Sequence, residues 1–145
     1  MHTIDKFINE YNFLSNFYPS EVAFEGWVYP TAEHAYQGAK VINPHNQKMV
    51  RLAESPAKAK RLGRKFCDRF LFHDIKLEIM KEIVSEKFTN NESLKKLLLE
   101  TDNAMIIEGN TWGDTFWGVC KGVGHNHLGK ILMEVRDEIK TLNQG

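Results

Sequence analysis

Phe72, Ile75, Ile79, Ile83 and Phe88 recur at helical spacing, which lays one apolar stripe along a cylinder and predicts a long amphipathic helix over roughly residues 73 to 88. Leu128, Ile131, Leu132, Val135, Ile139 and Leu142 repeat the pattern and mark a closing helix. Strand signals are sparse by comparison. VAFEGWVY places apolar residues on both sides of Glu25 and Gly26, which reads as a short hairpin closed by Pro30. AMIIE reads as one short buried strand. Thr31 can cap a helix running to about Val41. Another helix is expected from Gln47 to Ala53, and another from Ser93 to Glu100. Ser55 followed by Pro56 is an N-cap with proline at the first helical position; the helix AKAKRL then meets Gly63, which fits the residue just past a helix end. The expected fold is α+β: mostly helical, with few short strands. No linker, repeat or low-complexity tract divides the chain, so residues 1–145 are read as a single domain.

Composition narrows the function. The 145 residues are 42% hydrophobic and 26% charged, as in a globular chain that buries its own core. Nineteen basic residues balance nineteen acidic ones, which argues against a general nucleic-acid coat and a polybasic membrane anchor. MHTIDKFINE has no apolar secretory core, and no apolar run reaches membrane-spanning length. A cytoplasmic protein without a membrane partner is expected. Cys67 and Cys120 stand alone and are expected to be inert buried thiols.

Three segments could carry chemistry. In the helix TAEHAYQGAKV, rotation by about 100° per residue puts Ala32, Ala35, Tyr36 and Ala39 on one face, with Glu33, Gln37 and Lys40 beside it at the border of the core. Glu33 and Lys40 are two turns apart, about 10 Å along the axis, too far for an ion pair but within reach of one sugar-phosphate ligand. The plainer reading is that Glu33 only stabilises the helix N-terminus. Between Trp112 and Val123, a glycine-rich loop carries Asp114, Phe116 and Trp117. Glycines admit a close ligand and indoles stack on a base or sugar; the alternative is that at least one tryptophan plugs the core. YNFLSNFYPS is either a loop pinned by its rings or an aromatic and amide wall of a pocket. Lys58, Lys60, Arg61, Arg64 and Lys65 form the basic cluster, either a solvated helix face or a phosphate grip. His125 and His127 lack a third ligand nearby, and no phosphate-loop, dinucleotide or nucleophile-elbow motif occurs, so no metal and no cofactor is expected.

FLSNFYPS, YPTAEHAYQGAK, ESPAKAKRLGR, KFTNNESLKKLLLET and DTFWG followed by GHNHLGKILMEVR occur in the order of the YbiA-like, or NADAR, family, which this chain resembles from about Tyr11 to Arg136. The resemblance implies a helix-rich α+β domain and N-glycosidase activity on a sugar joined to an amine of a pyrimidine or purine. The substrate would be a nucleotide-like small molecule, such as a phosphorylated ribosylamino-pyrimidine of riboflavin synthesis, or ADP-ribosylated guanine in nucleic acid. The family's motifs fall on Glu33, Lys40, Asp114, Trp117, Gly118, Asn16, Phe17, Arg64 and Asn126. Tyr29, Ala35, Phe72 and His127 depart from the family pattern and could reshape the pocket.

Breaking an N-glycosidic bond builds positive charge at the anomeric carbon while an amine leaves. Glu33 or Asp114 is expected to activate water or stabilise that cation, and Lys40 either grips the ligand or forms an imine with ring-opened ribose. Trp117 would stack on the base or sugar, and Arg64 and Lys65 would neutralise phosphate; Asn16, Phe17, Gln37, Gly118 and Asn126 complete the expected binding set. The alternative is a module that holds ADP-ribose or NAD without cleaving it.

Overall fold

The computed structural model describes residues 2–144. The chain forms two compact units, one made of residues 16–87 and the other of the N-terminal fifteen residues with the segment from Phe88 onward.

The 16–87 unit opens on an antiparallel hairpin, β1 (Pro19–Phe24) and β2 (Trp27–Thr31). Val22 pairs with Tyr29 and Phe24 with Trp27, and an irregularity lies between Pro19 and Val22. Glu25 and Gly26 both take positive φ, as the tight two-residue connection requires. Pro30 lies inside β2 instead of closing the hairpin. Alternation along β1 buries Ser20, Val22 and Phe24.

The chain turns directly from β2 into α1 (Ala32–Ala39). Thr31 caps it: its hydroxyl oxygen accepts the His34 backbone N–H at 3.0 Å. All eight residues of α1 are buried, so the expected polar border does not reach solvent. α2 (Pro44–Arg51) starts three residues earlier than expected, because Asn43 caps it and Pro44 occupies its first turn. α3 (Pro56–Phe66) begins at the Ser55 cap as expected, but it runs through Gly63 to Phe66. Gly63 is therefore not a helix stop. It sits where α3 packs on α1, and a β-carbon there would meet the Gln37 side chain. Val41, Val50 and Ala59 form a small apolar cluster with Ala53, Leu62 and Phe66 packed against it.

α4 (Phe72–Thr89) matches the long helix read from periodicity. Phe72, Ile79, Met80, Ile83, Val84 and Phe88 are buried, and Lys87 falls on the same stripe. Tyr36 of α1 and Phe72 meet edge-on at 5.5 Å between ring centres.

In the other unit a short strand, β3 (Met105–Ile106), runs parallel to the N-terminal strand Thr3–Ile4. A 3-10 helix spans Asn9–Leu14, with Phe13 and Leu14 buried. α5 (Glu92–Glu100) packs on the closing helix α6 (His127–Gln144), which also covers β3. The glycine-rich segment is more than a loop. It contains a two-residue strand, β5 (Val119–Cys120), which pairs in parallel with β4 (Gly109–Asn110) just before the segment. Neither tryptophan of this segment plugs the core: Trp112 is 64% exposed and Trp117 is half-buried. Cys120 is buried as expected, whereas Cys67, which follows the last residue of α3, is exposed.

Candidate active site on the first helix

Glu33 lies in the first turn of α1, 8% exposed. Its backbone N–H donates to the Asn16 carbonyl at 2.9 Å, so the SNF segment takes up one of the unpaired donors at the helix start. The Asn16 side chain is buried and reaches Met80 Sδ at 3.4 Å; Phe17 beside it is 42% exposed. Gln37, one turn on, donates through Nε2 to Glu33 Oε2 at 2.6 Å, a charge-assisted bond that fixes the carboxylate. Gln37 is itself held by Gly63 of α3, whose missing β-carbon leaves room for the amide. The other Gln37 amide atom, Oε1, is buried without a hydrogen-bond partner.

His34 braces the same turn. Its Nε2 faces the Ala53 carbonyl at 2.9 Å, an oxygen that can only accept, so Nε2 carries the proton. Nδ1 then accepts from the Thr31 hydroxyl at 2.8 Å. Burial pushes the His34 pKa down, partly offset by the Ala53 bond, in keeping with a neutral ring that locks α1 to the end of α2.

Lys40 follows the last turn of α1 and is half-buried. Its ammonium stands 5.2 Å above the Tyr36 ring and 5.9 Å from that of Phe72. Its carbonyl accepts the backbone N–H groups of Asp68 and Arg69, each at 3.0 Å, which anchors the chain leaving α3. Burial holds the Lys40 pKa below the usual lysine range. The charge of Glu33 and the Cys67 thiol oppose that shift, while Arg64 and Lys60 add to it. Glu33 and Lys40 thus share one field. Arg64 and Lys65 are exposed, and the Lys65 ammonium lies 5.4 Å from the Phe66 ring.

The remaining expected residues belong to the other unit. Asp114 Oδ1 accepts the backbone N–H groups of Phe116 at 3.1 Å and Trp117 at 2.9 Å, closing a turn around its own carboxylate. The Asn110 amide clasps the Asp114 backbone from the other side, accepting from its N–H at 3.1 Å and donating to its carbonyl at 2.9 Å. Asn110 also donates to Glu108 Oε2 at 3.0 Å, and that carboxylate occupies the space a side chain on Gly118 would need. Trp117 meets Phe116 edge-on at 4.8 Å. Asn126 has positive φ, and its amide spans Glu108 N–H and the Ile106 carbonyl, both at 2.9 Å, as a brace between backbone segments. His125 and His127 stack at 5.4 Å, and the described residues contain no group of three metal-ligating side chains.

Sequence reasoning missed Glu108, Asn110 and Lys87, and named Lys60 only as one member of the basic cluster. The charge of Lys60, like that of Arg64, adds to the lowering of the Lys40 pKa. Lys87, four residues after Ile83, was legible as a stripe position. It is 1% exposed, and burial pushes its pKa down to about 7, with the amine 5.8 Å from the Tyr18 ring.

The sequence model of the NADAR domain matches residues 4–140. The chain is 40% identical over 133 residues to a riboflavin biosynthesis protein of Vibrio vulnificus, covering 90% of this chain but only 36% of that protein's length. It is 36% identical to an N-glycosidase of Nostoc punctiforme, covering 91% of this chain and 88% of the relative. The solution structure of Escherichia coli YbiA superposes with a TM-score of 0.86 at 30% identity, over 99% of this chain and 89% of that one. A family match across nearly the whole chain, with a shared fold and relatives similar over most of their length, means that this chain belongs to the NADAR domain family.

Proposed function

We propose that this protein is an N-glycosidase that hydrolyses the C–N bond between a ribose, carried as phosphoribose or ADP-ribose, and an amino group of a pyrimidine or guanine base. The relatives named N-glycosidases support the bond type. The observation that carries the mechanism is the α1 stripe: a buried carboxylate oriented by Gln37, with a desolvated ammonium two turns away.

In this reading Glu33 faces the anomeric carbon. It takes a proton from the attacking water, or stabilises the sugar cation as the C–N bond breaks, and the departing nitrogen takes up a proton. Lys40, with its lowered pKa, is the nearby proton source and orients the sugar. A distinct route opens the amino-linked ribose to an imine, which Lys40 captures as a Schiff base before water releases the sugar. Asp114 shapes the loop presenting Trp117 and Gly118, since Oδ1 of its carboxylate accepts two backbone N–H groups. Asn16 and Asn126 act through backbone anchoring, and Phe17 offers an exposed ring to the ligand.

Residues 1–145 act in this proposal as one domain, since the family match spans residues of both units. The free, exposed Cys67 suits a reducing cytoplasm. No helix among the described residues is long and apolar enough to cross a membrane.

The test is product release. The protein is incubated separately with a ribosylamino-pyrimidine phosphate and an ADP-ribosylated guanine nucleotide, and products are separated by chromatography. The expected result is free pyrimidine or unmodified guanine nucleotide; retention of both intact substrates would make the protein a binding module.

A further inference from the structure

Asp114, Gly118 and Asn126 all address one further residue, Glu108, directly or through Asn110. The Asn126 amide oxygen accepts the Glu108 backbone N–H at 2.9 Å, and the Glu108 carbonyl accepts the Val119 N–H at 2.9 Å. Held at both backbone groups, Glu108 extends its carboxylate over Gly118, where a β-carbon would collide with Glu108 Oε2 and crowd Asn110 Nδ2. Position 118 is thus confined to glycine by a carboxylate and an amide that fill the side-chain volume.

The Asn110 amide turns that carboxylate into a constraint on the loop. Its edge pairs with the Asp114 backbone as a second peptide would: Nδ2 donates to the Asp114 carbonyl at 2.9 Å and Oδ1 accepts the Asp114 N–H at 3.1 Å. A carbonyl only accepts and a backbone N–H only donates, so this pair admits one orientation of the amide. Nδ2 also donates to Glu108 Oε2 at 3.0 Å, a charge-assisted bond that anchors the clasp. Asp114 Oδ1 in turn accepts the N–H groups of Phe116 and Trp117. Hydrogen bonds in series therefore lead from Glu108 to the backbone that carries Trp117. Trp117 is half-buried, whereas Trp112, in the arch between Asn110 and Asp114, is exposed.

We propose that Glu108 is a positioning residue of the glycosidase: through Asn110 and Asp114 it presets the pose of Trp117, which stacks on the base or sugar of the substrate. The inference rests on the glycosidase reading for what Trp117 meets. In this role Glu108 touches no reacting atom. Without its carboxylate the loop samples several poses, of which the substrate selects one, so apparent affinity falls while turnover at saturation holds.

The test uses the full chain with Trp27 and Trp112 replaced by phenylalanine, which leaves Trp117 as the single tryptophan and serves as the parent for every comparison. Acrylamide quenching reads the pose of Trp117 without substrate. Steady-state base release from the glycoside the protein cleaves gives KM and kcat, and thermal melting checks folding. Glu108→Ala should raise the quenching constant about twofold or more and KM about tenfold, with kcat within about threefold of the parent. Glu108→Gln retains an oxygen that accepts from Asn110 and should recover most of both losses. Asn110→Ala should reproduce the Glu108→Ala pattern, and it decides the matter if Glu108→Ala does not fold. Because the two residues act along one path, the double variant should raise KM no further than the worse single one. Thr111→Ala, at an exposed position of the same arch, should match the parent. Unchanged quenching and KM in a folded Glu108→Ala protein overturns the proposal, as does a hundredfold fall in kcat at constant KM, which would put Glu108 in the reaction itself. The two claims separate: looser Trp117 in Glu108→Ala without cleavage of any glycoside by the parent keeps the clasp and removes the glycosidase, whereas base release by Glu108→Ala with the parent's KM does the reverse.

Discussion

Replacing Gly63 with alanine sets two known effects against each other. In an open helix interior, Gly→Ala stabilises by about 1 kcal/mol through backbone entropy. At Gly63 the new β-carbon would lie 2.7 Å from Gln37 Cβ and 3.1 Å from its Cδ, and closer still to Oε1. Gln37 Cβ is fixed to the α1 backbone, so a rotamer change cannot relieve the contact and the helices must part. Overpacking of this kind costs about 1–3 kcal/mol. Displacing the Gln37 amide would also loosen its bond to the Glu33 carboxylate, worth about 1.5–3 kcal/mol when complete. The clash and a partly lost bond outweigh the propensity gain, leaving a net loss of about 1–3 kcal/mol, or roughly 3–10 °C in melting temperature for a domain of this size. Thermal unfolding followed by circular dichroism reads it directly, and turnover should fall with it because Glu33 loses its orienting partner. A Gly63→Ala variant as stable as wild type would refute the reasoning, since it would show that the α1 and α3 contact has slack.

Thr31→Val keeps the shape of the cap but removes the oxygen that serves both His34 N–H and Nδ1, so urea unfolding should show a loss of about 1–2 kcal/mol. Lys87 titrates near 7 when folded and near 10.5 when unfolded. Between those values the unfolded chain holds a proton the folded chain has shed, so its contribution to stability rises with pH across that window, and below about 7 the full cost of burying the charge persists. Lys87→Met should flatten the wild-type rise in urea stability from about pH 7 to 9; an unchanged profile would place the pH dependence elsewhere. Borohydride added during single turnover should trap a sugar adduct on Lys40 only if the imine route operates, and consumption of substrate without an adduct by mass spectrometry would leave Lys40 as an orienting charge.

The legible parts of this chain are those whose signals are local. Thr31, Asn43 and Ser55 satisfy helix donors within three residues, so a cap read from sequence can be matched by one in space; Thr31 and Ser55 were readable in this way. Gly63 was misleading because a glycine after AKAKRL has the same local signature whether it ends a helix or admits a neighbouring one. Only Gln37, 26 positions earlier, decides. β4 and β5 are two residues each, too short for alternation to register, and their pairing depends on contacts beyond the segment. For the site, the 3.6-residue period was enough to align Glu33, Gln37 and Lys40. It could not show that Asp114 and Asn126 spend their side chains on backbone groups, because those bonds exist only once the loop is folded.

The central claim is that the Glu33 carboxylate does the chemistry, and Glu33→Gln tests it most directly. The amide keeps the length, the helix propensity and an oxygen that can accept from Gln37, so the fold and melting temperature should hold while the charge is lost. Release of free base from the competent glycoside should fall by about a hundredfold or more. Near wild-type release from a folded Glu33→Gln protein would contradict the account.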